Sequence, residues 1–142
     1  MNDRFKFRFW NKSKNRYINT EKLVLNDGTY TQVGTKQMNN GTYCSYIVNE
    51  YNTSDVIPEQ CTGLKDKNGK LIYEGDIVRV IEQCMTNTLD RNYPMLFNEK
   101  TAKFGFKHPD GHFFYFTNND DFSYEVIGNI HENADLIKVG GK

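Results

Sequence analysis

Apolar and polar residues alternate with a period of two through much of this chain, the spacing of a strand that buries one face. Phe5-Lys6-Phe7-Arg8-Phe9 predicts a half-buried strand with the phenylalanines on one side and Lys6, Arg8 and Trp10 on the other. The polar cluster 11–15 reads as a turn and Arg16-Tyr17-Ile18 as its return strand. Leu23-Val24-Leu25 and residues 30–33 flank Asn26-Asp27-Gly28-Thr29, and Asp-Gly between apolar runs is a hairpin signal. Residues 34–42 read as a surface loop and 43–48 as a strand. The polar stretch 49–59 reads as a linker to the second half.

Beyond it, Lys67-Asn68-Gly69-Lys70 predicts a tight turn, and Leu71-Ile72-Tyr73 runs into a Gly75-Asp76 corner. The β-branched run 77–81 has the composition of a central strand. In residues 82–99 the apolar positions Met85, Leu89, Tyr93, Met95, Leu96 and Phe97 fit neither a strand nor a helical period, so a long loop or irregular insertion is expected. Residues 101–107 and 112–117 bracket Pro109-Asp110-Gly111, whose proline-first turn chemistry predicts a hairpin. Residues 124–130 read as the last strand, 134–139 as a helical turn or edge strand, and the Gly-Gly-Lys end is expected to fray. Short strands with Gly and Asn turns, and no long amphipathic helix, predict an all-β barrel or sandwich. The expected division is an N-terminal hairpin lobe, 1–55, and a second lobe, 56–142.

Composition sharpens this picture. At 142 residues the chain suits one domain, and with 37% hydrophobic residues its core must draw on large side chains, which ten Phe and nine Tyr supply. Eighteen basic and eighteen acidic side chains cancel, which removes any global field for nucleic acid or anionic membrane. The charge is nonetheless uneven: residues 1–16 carry six bases against Asp3, and the rest carry twelve bases against seventeen acids. With no apolar run of membrane-spanning length and no hydrophobic leader near the start, a cytoplasmic location and no membrane partner are expected. Cys44, Cys61 and Cys84, odd in number and widely spaced, read as reduced thiols and not as a disulfide framework or zinc ribbon.

Candidate chemistry is sparse. His108 and His112 flank Pro109-Asp110-Gly111, and two imidazoles with a carboxylate could hold a metal, yet a solvated hairpin explains them with no third ligand in register. Asp120, Asp121 and Glu125 read as an exposed acidic loop, since paired carboxylates act as acid and base only when burial separates their pKa values. No serine or cysteine has a nucleophile context, and no glycine-rich phosphate loop is present, so no catalytic residue, cofactor or metal ligand is assigned. The basic aromatic hairpin is the one contact candidate: Lys6, Arg8 and Trp10, with Arg16 and Tyr17 across the turn, could meet a phosphate backbone, a stacked base or an acidic partner surface.

Three separated segments resemble the YopX family of phage and prophage proteins: the aromatic-basic start from Phe5 to Trp10, the block TGLKDKNGKLIYEGDIV from Thr62 to Val78, and VIGNIHEN from Val126 to Asn133. The resemblance implies an all-β fold with an SH3-like barrel in the C-terminal half and extra N-terminal strands packed on it. It implies no established activity. Gly63, Asn68, Gly69, Gly75, Asp76, Gly128 and Asn129 are its motif positions, and their residue types suit turns, a corner and a bulge. The function expected is that of a non-enzymatic phage or prophage protein working through protein contacts as a homo-oligomer. The alternative is a nucleic-acid-binding accessory protein that uses the N-terminal hairpin.

Overall fold

The computed structural model describes residues 3–18 and 23–139, so the Gly-Gly-Lys end lies outside the described residues. The described chain is nearly all β, with curled antiparallel sheets, as the alternation predicts. In chain order the strands are β1 (Phe7–Asn11), β2 (Arg16–Ile18), β3 (Leu23–Asn26), β4 (Thr29–Gln37), β5 (Tyr43–Asn52) and β6 (Val56–Lys65). There follow β7 (Leu71–Tyr73), β8 (Asp76–Gln83), β9 (Thr88–Asn98), β10 (Lys103–Lys107), β11 (Phe113–Tyr115) and β12 (Phe122–Asn129), then a short helix, α1 (Asp135–Val139). Two compact units divide the chain, Arg8–Glu59 and Met1–Phe7 with Gln60–Lys142. Strand β6 gives residues 56–59 to the first unit and 60–65 to the second.

In the first unit, β1 and β2 form the expected hairpin with Trp10 opposite Tyr17. A second meander, ordered β3-β4-β5, opens with a two-residue turn in which Asp27 (φ 39) and Gly28 (φ 79) both take positive φ, the type I′ geometry that suits a twisted hairpin. Two expectations are corrected here. Strand β4 runs on to Gln37, leaving only a short loop closed by the Met38 N–H donating to the Thr42 carbonyl at 2.7 Å. The stretch 49–59 is no linker but the end of β5, a 3-10 turn at Thr53–Asp55 and the start of β6. Thr53 anchors that turn, its N–H and hydroxyl both donating to the Gly28 carbonyl at 3.1 and 2.9 Å. Polar side chains hid the ends of β4 and β5, since an element exposed on both faces has no apolar period to read, while the start of β6 buries Val56 and the polar Glu59.

In the second unit, Phe5 falls in a 3-10 turn at Asp3–Phe5 and is 77% exposed, so β1 starts two residues later than its alternation predicts. The Lys6 N–H bonds the Asp3 carbonyl and its ammonium pairs with the Asp3 carboxylate at 2.7 Å, local closures that compete with extension. The main sheet is ordered β11-β10-β9-β8-β12, compatible with the SH3-like arrangement that the resemblance implies. Residues 88–98, expected as a loop, form its central strand β9. Leu89, Tyr93, Met95 and Phe97 do alternate; Arg91 interrupts their row and Pro94 and Leu96 blur the other face. The register places Tyr93 opposite Val78, Met95 opposite Phe106 and Tyr124 opposite Val80, and with Ile72 these residues form one buried cluster. Aromatics fill it as the composition requires: Tyr124 stacks on Phe116 at 4.0 Å, and Tyr93 meets Phe114 edge-on at 5.0 Å.

Candidate functional site

The most distinctive block of the sequence builds corners. The β6–β7 turn is held by Asp66, whose Oδ1 accepts from the N–H groups of Asn68 and Lys70, both at 2.9 Å, while Oδ2 accepts from Val126 N–H at 3.0 Å. With these three bonds Asp66 is buried, at 7% exposure. Gly69 takes φ 80 and Asn68 does not take positive φ. At the next corner Gly75 has φ 81, and Asp76, 1% exposed, accepts from Tyr73 N–H at 2.8 Å. Gly63, at φ 80, lies where the β6–β7 register shifts. Gly128 lies at the β8–β12 register shift, where an added Cβ would come within 2.5 Å of Asn133 Oδ1. Asn129 Oδ1 accepts from the N–H groups of His131 and Glu132, closing the turn after β12.

The basic aromatic hairpin is bound up within its own unit. Trp10 is 3% exposed and meets Tyr17 edge-on at 4.9 Å. The Arg8 guanidinium sits 4.7 Å above the Tyr17 ring and donates from Nε to Glu59 Oε2 at 2.6 Å; the Tyr17 hydroxyl donates to the same oxygen at 3.1 Å. Glu59 is buried, and no local signal could have found it, since it lies 51 residues from Arg8 and 42 from Tyr17. Lys6 belongs to the other unit, paired with Asp3, and Arg16 is exposed.

The β10–β11 turn does bring both imidazoles to Asp110: His108 Nδ1 lies 2.9 Å and His112 Nδ1 3.1 Å from Oδ1. The His112 backbone N–H, donating at 3.0 Å, is the main reason the Asp110 carboxyl is drawn down to about 2, with both imidazoles adding to the effect. The other face of His108 meets Arg91, whose Nη1 lies 2.8 Å from Nε2. A guanidinium can only donate, so Nε2 accepts, the ring proton sits on Nδ1, and that proton points to Asp110. Among the described residues no group of three or more His, Cys, Asp and Glu is placed to hold a metal. The acidic trio is split, with Asp120 and Asp121 exposed and Glu125 paired with Lys67 at 2.8 Å. Cys61 is buried, while Cys44 and Cys84 are exposed.

Arg91 and His108 border a cavity of about 320 Å³. Its walls follow from register: Val80 lies opposite Arg91 and Glu82 opposite Leu89 across β8 and β9, so all four share a face, and Phe122 lies opposite Glu82 from β12. Tyr93 and Phe114 complete the lining. The sequence reading missed this site. The one available clue was Arg91 itself, a charge occupying an apolar position of β9.

A second unusual surface lies in the first unit. Pairing between β3 and β4 ends at Leu23 opposite Gln32, whereas β4 and β5 stay paired from there to Gln37 opposite Tyr43. Residues 33–37 and 43–47 therefore form a two-stranded ribbon with no third strand among the described residues. Tyr43, Tyr46, Ile47 and, at the register shift, Val48 stand exposed along β5, Tyr43 at 72% and Ile47 at 63%.

A nearly all-β chain with glycine and carboxylate corners and a C-terminal aromatic core is the class of protein these observations define. The profile of the YopX protein family matches residues 6–138, and the chain belongs to that family. Two solved structures share the fold. Protein EF1440 from Enterococcus faecalis is similar at 26% identity and a TM-score of 0.63, covering 93% of this chain and 96% of its own. YopX from Bacillus subtilis is similar at 17% identity and a TM-score of 0.61, covering 96% of this chain and 98% of its own. No curated protein matches the chain in sequence. Among the described residues no helix is long and apolar enough to cross a membrane.

Proposed function

We propose that this chain is a non-enzymatic phage or prophage assembly module that self-associates through the β4–β5 ribbon. The observation that carries this reading is the ribbon's exposed apolar side chains, Tyr43, Tyr46, Ile47 and Val48 on β5 and Met38 in the connecting loop. An isolated two-stranded hairpin is marginal in water, and large apolar side chains left exposed on both of its faces, Tyr43 and Ile47 on one and Tyr46 on the other, mark a contact. Strand β5 is also the outer strand in the order β3-β4-β5, and its sequence YCSYIVNEYN has no Lys, Arg or Pro of the kind that guards an open edge. A second copy is the occupant that fits: one β5 edge can pair with another about a two-fold axis, and a net charge of zero adds no long-range repulsion.

The nucleic-acid alternative has less in its favour, because Trp10 is inside and Arg8 is engaged by Glu59. Light scattering after size exclusion tests self-association. The natural chain is expected to run as a dimer or larger, and Ile47→Glu combined with Tyr43→Lys to run as a monomer with an unchanged circular dichroism spectrum. A natural chain that stays monomeric at high concentration overturns the proposal.

A further inference from the structure

The cavity beside β9 has an apolar body and carries two opposite charges that no described residue neutralises. The Arg91 guanidinium has five N–H donors, and its polar contact among the described residues is the neutral His108 ring. It makes no ion pair with a described carboxylate, although Glu82 is its diagonal neighbour on the same sheet face, at a Cα separation of about 7–8 Å. His108, anchored by Asp110, holds one edge of the guanidinium and leaves its other donors for a planar anion such as a carboxylate. Glu82 borders the same space and lies beside the exposed Cys84 thiol, which places a carboxylate at the rim. Leu89, Phe114 and Phe122 supply apolar and aromatic walls.

We propose that this cavity binds a small zwitterion with an aromatic body, of the aromatic α-amino acid class, with Arg91 taking the carboxylate, Glu82 the ammonium, and Phe114 and Phe122 the ring. A simple anion would face Glu82 unpaired, and a simple cation would face Arg91; only a molecule bearing both charges satisfies both side chains. The volume of about 320 Å³ lies near the lower end of small-molecule sites, roughly 300–1,000 Å³. The inference is independent of self-association through the ribbon, since every lining residue belongs to the second unit.

The test is an amide NMR titration of the full chain with L-phenylalanine and L-tryptophan, beside 3-phenylpropionate, phenethylamine and glycine. The aromatic amino acids are expected to give saturable shifts at Arg91, His108, Phe114 and Phe122, with each single-charge analogue at least about tenfold weaker, the scale of one charged hydrogen bond. Glu82→Gln is expected to erase the preference of L-phenylalanine over 3-phenylpropionate. Equal binding of 3-phenylpropionate and L-phenylalanine to the natural chain overturns the zwitterion assignment without any variant. Absence of saturable shifts with every compound, or shifts confined to other residues, overturns the site.

Discussion

Asp66 accepts three backbone N–H groups, from Asn68 and Lys70 in its own turn and from Val126 in β12. Burial pushes its carboxyl up, but the bonds from Val126, Lys70 and Asn68 outweigh that and leave it below the ordinary aspartate value of 3.8. A carboxyl lowered in the folded state contributes stability above its unfolded pKa and loses it as pH falls through the folded one. Asp66→Asn should therefore cost about 1–3 kcal/mol in urea unfolding at neutral pH, because an amide must turn an N–H toward a backbone donor. The gap to the natural chain should narrow as pH drops below 3.8; a gap that does not change with pH would show that the charge is not what matters. In the sequence Asp66 is one charge among Lys65, Lys67 and Lys70. Its bond to Val126 spans 60 residues, which no local window contains.

Elements were legible where one face is wet and the other dry. The hairpins around Asp27-Gly28 and around Pro109-Asp110-Gly111 formed where turn chemistry and alternation agree. Strand β9 escaped because Arg91 occupies an inward position and apolar residues lie on both faces, while the ends of β4 and β5 escaped because both their faces are exposed. Strand β10 shows how tightly the elements then close. A Cβ at Gly105 would meet the Phe114 carbonyl oxygen and come within 2.6 Å of the Phe113 ring, so Gly105→Ala must part β10 from β11. That substitution should cost about 2–3 kcal/mol, in the upper range for overpacking. Gly111→Ala meets nothing within 4 Å at φ +95, and should cost only about 1 kcal/mol of left-handed backbone strain. Thermal unfolding of the two variants side by side separates them, and equal losses would mean that β11 yields freely.

For the whole molecule, charge is the property that composition reports most directly and placement modifies most. The excess of bases at the N-terminus suggested a phosphate contact, but Lys6 is paired with Asp3 and Arg8 with Glu59. Gel shifts at low salt with single- and double-stranded DNA and RNA should show no complex. A complex that weakens steeply with added salt would restore the nucleic-acid reading, since each phosphate contact releases counterions.

By itself the sequence determined the β class, the positions of the tight turns and the family, because glycine φ, Asp-Gly pairs and a two-residue period act over a few neighbouring residues. The tertiary structure alone decided that Glu59 would gather Arg8 and Tyr17, that β9 would fill the centre of the main sheet, and that Arg91 would face a cavity with Glu82. Each of those outcomes depends on strand register between segments distant along the chain. Register is set by the summed burial of whole faces, to which no single local stretch holds the key.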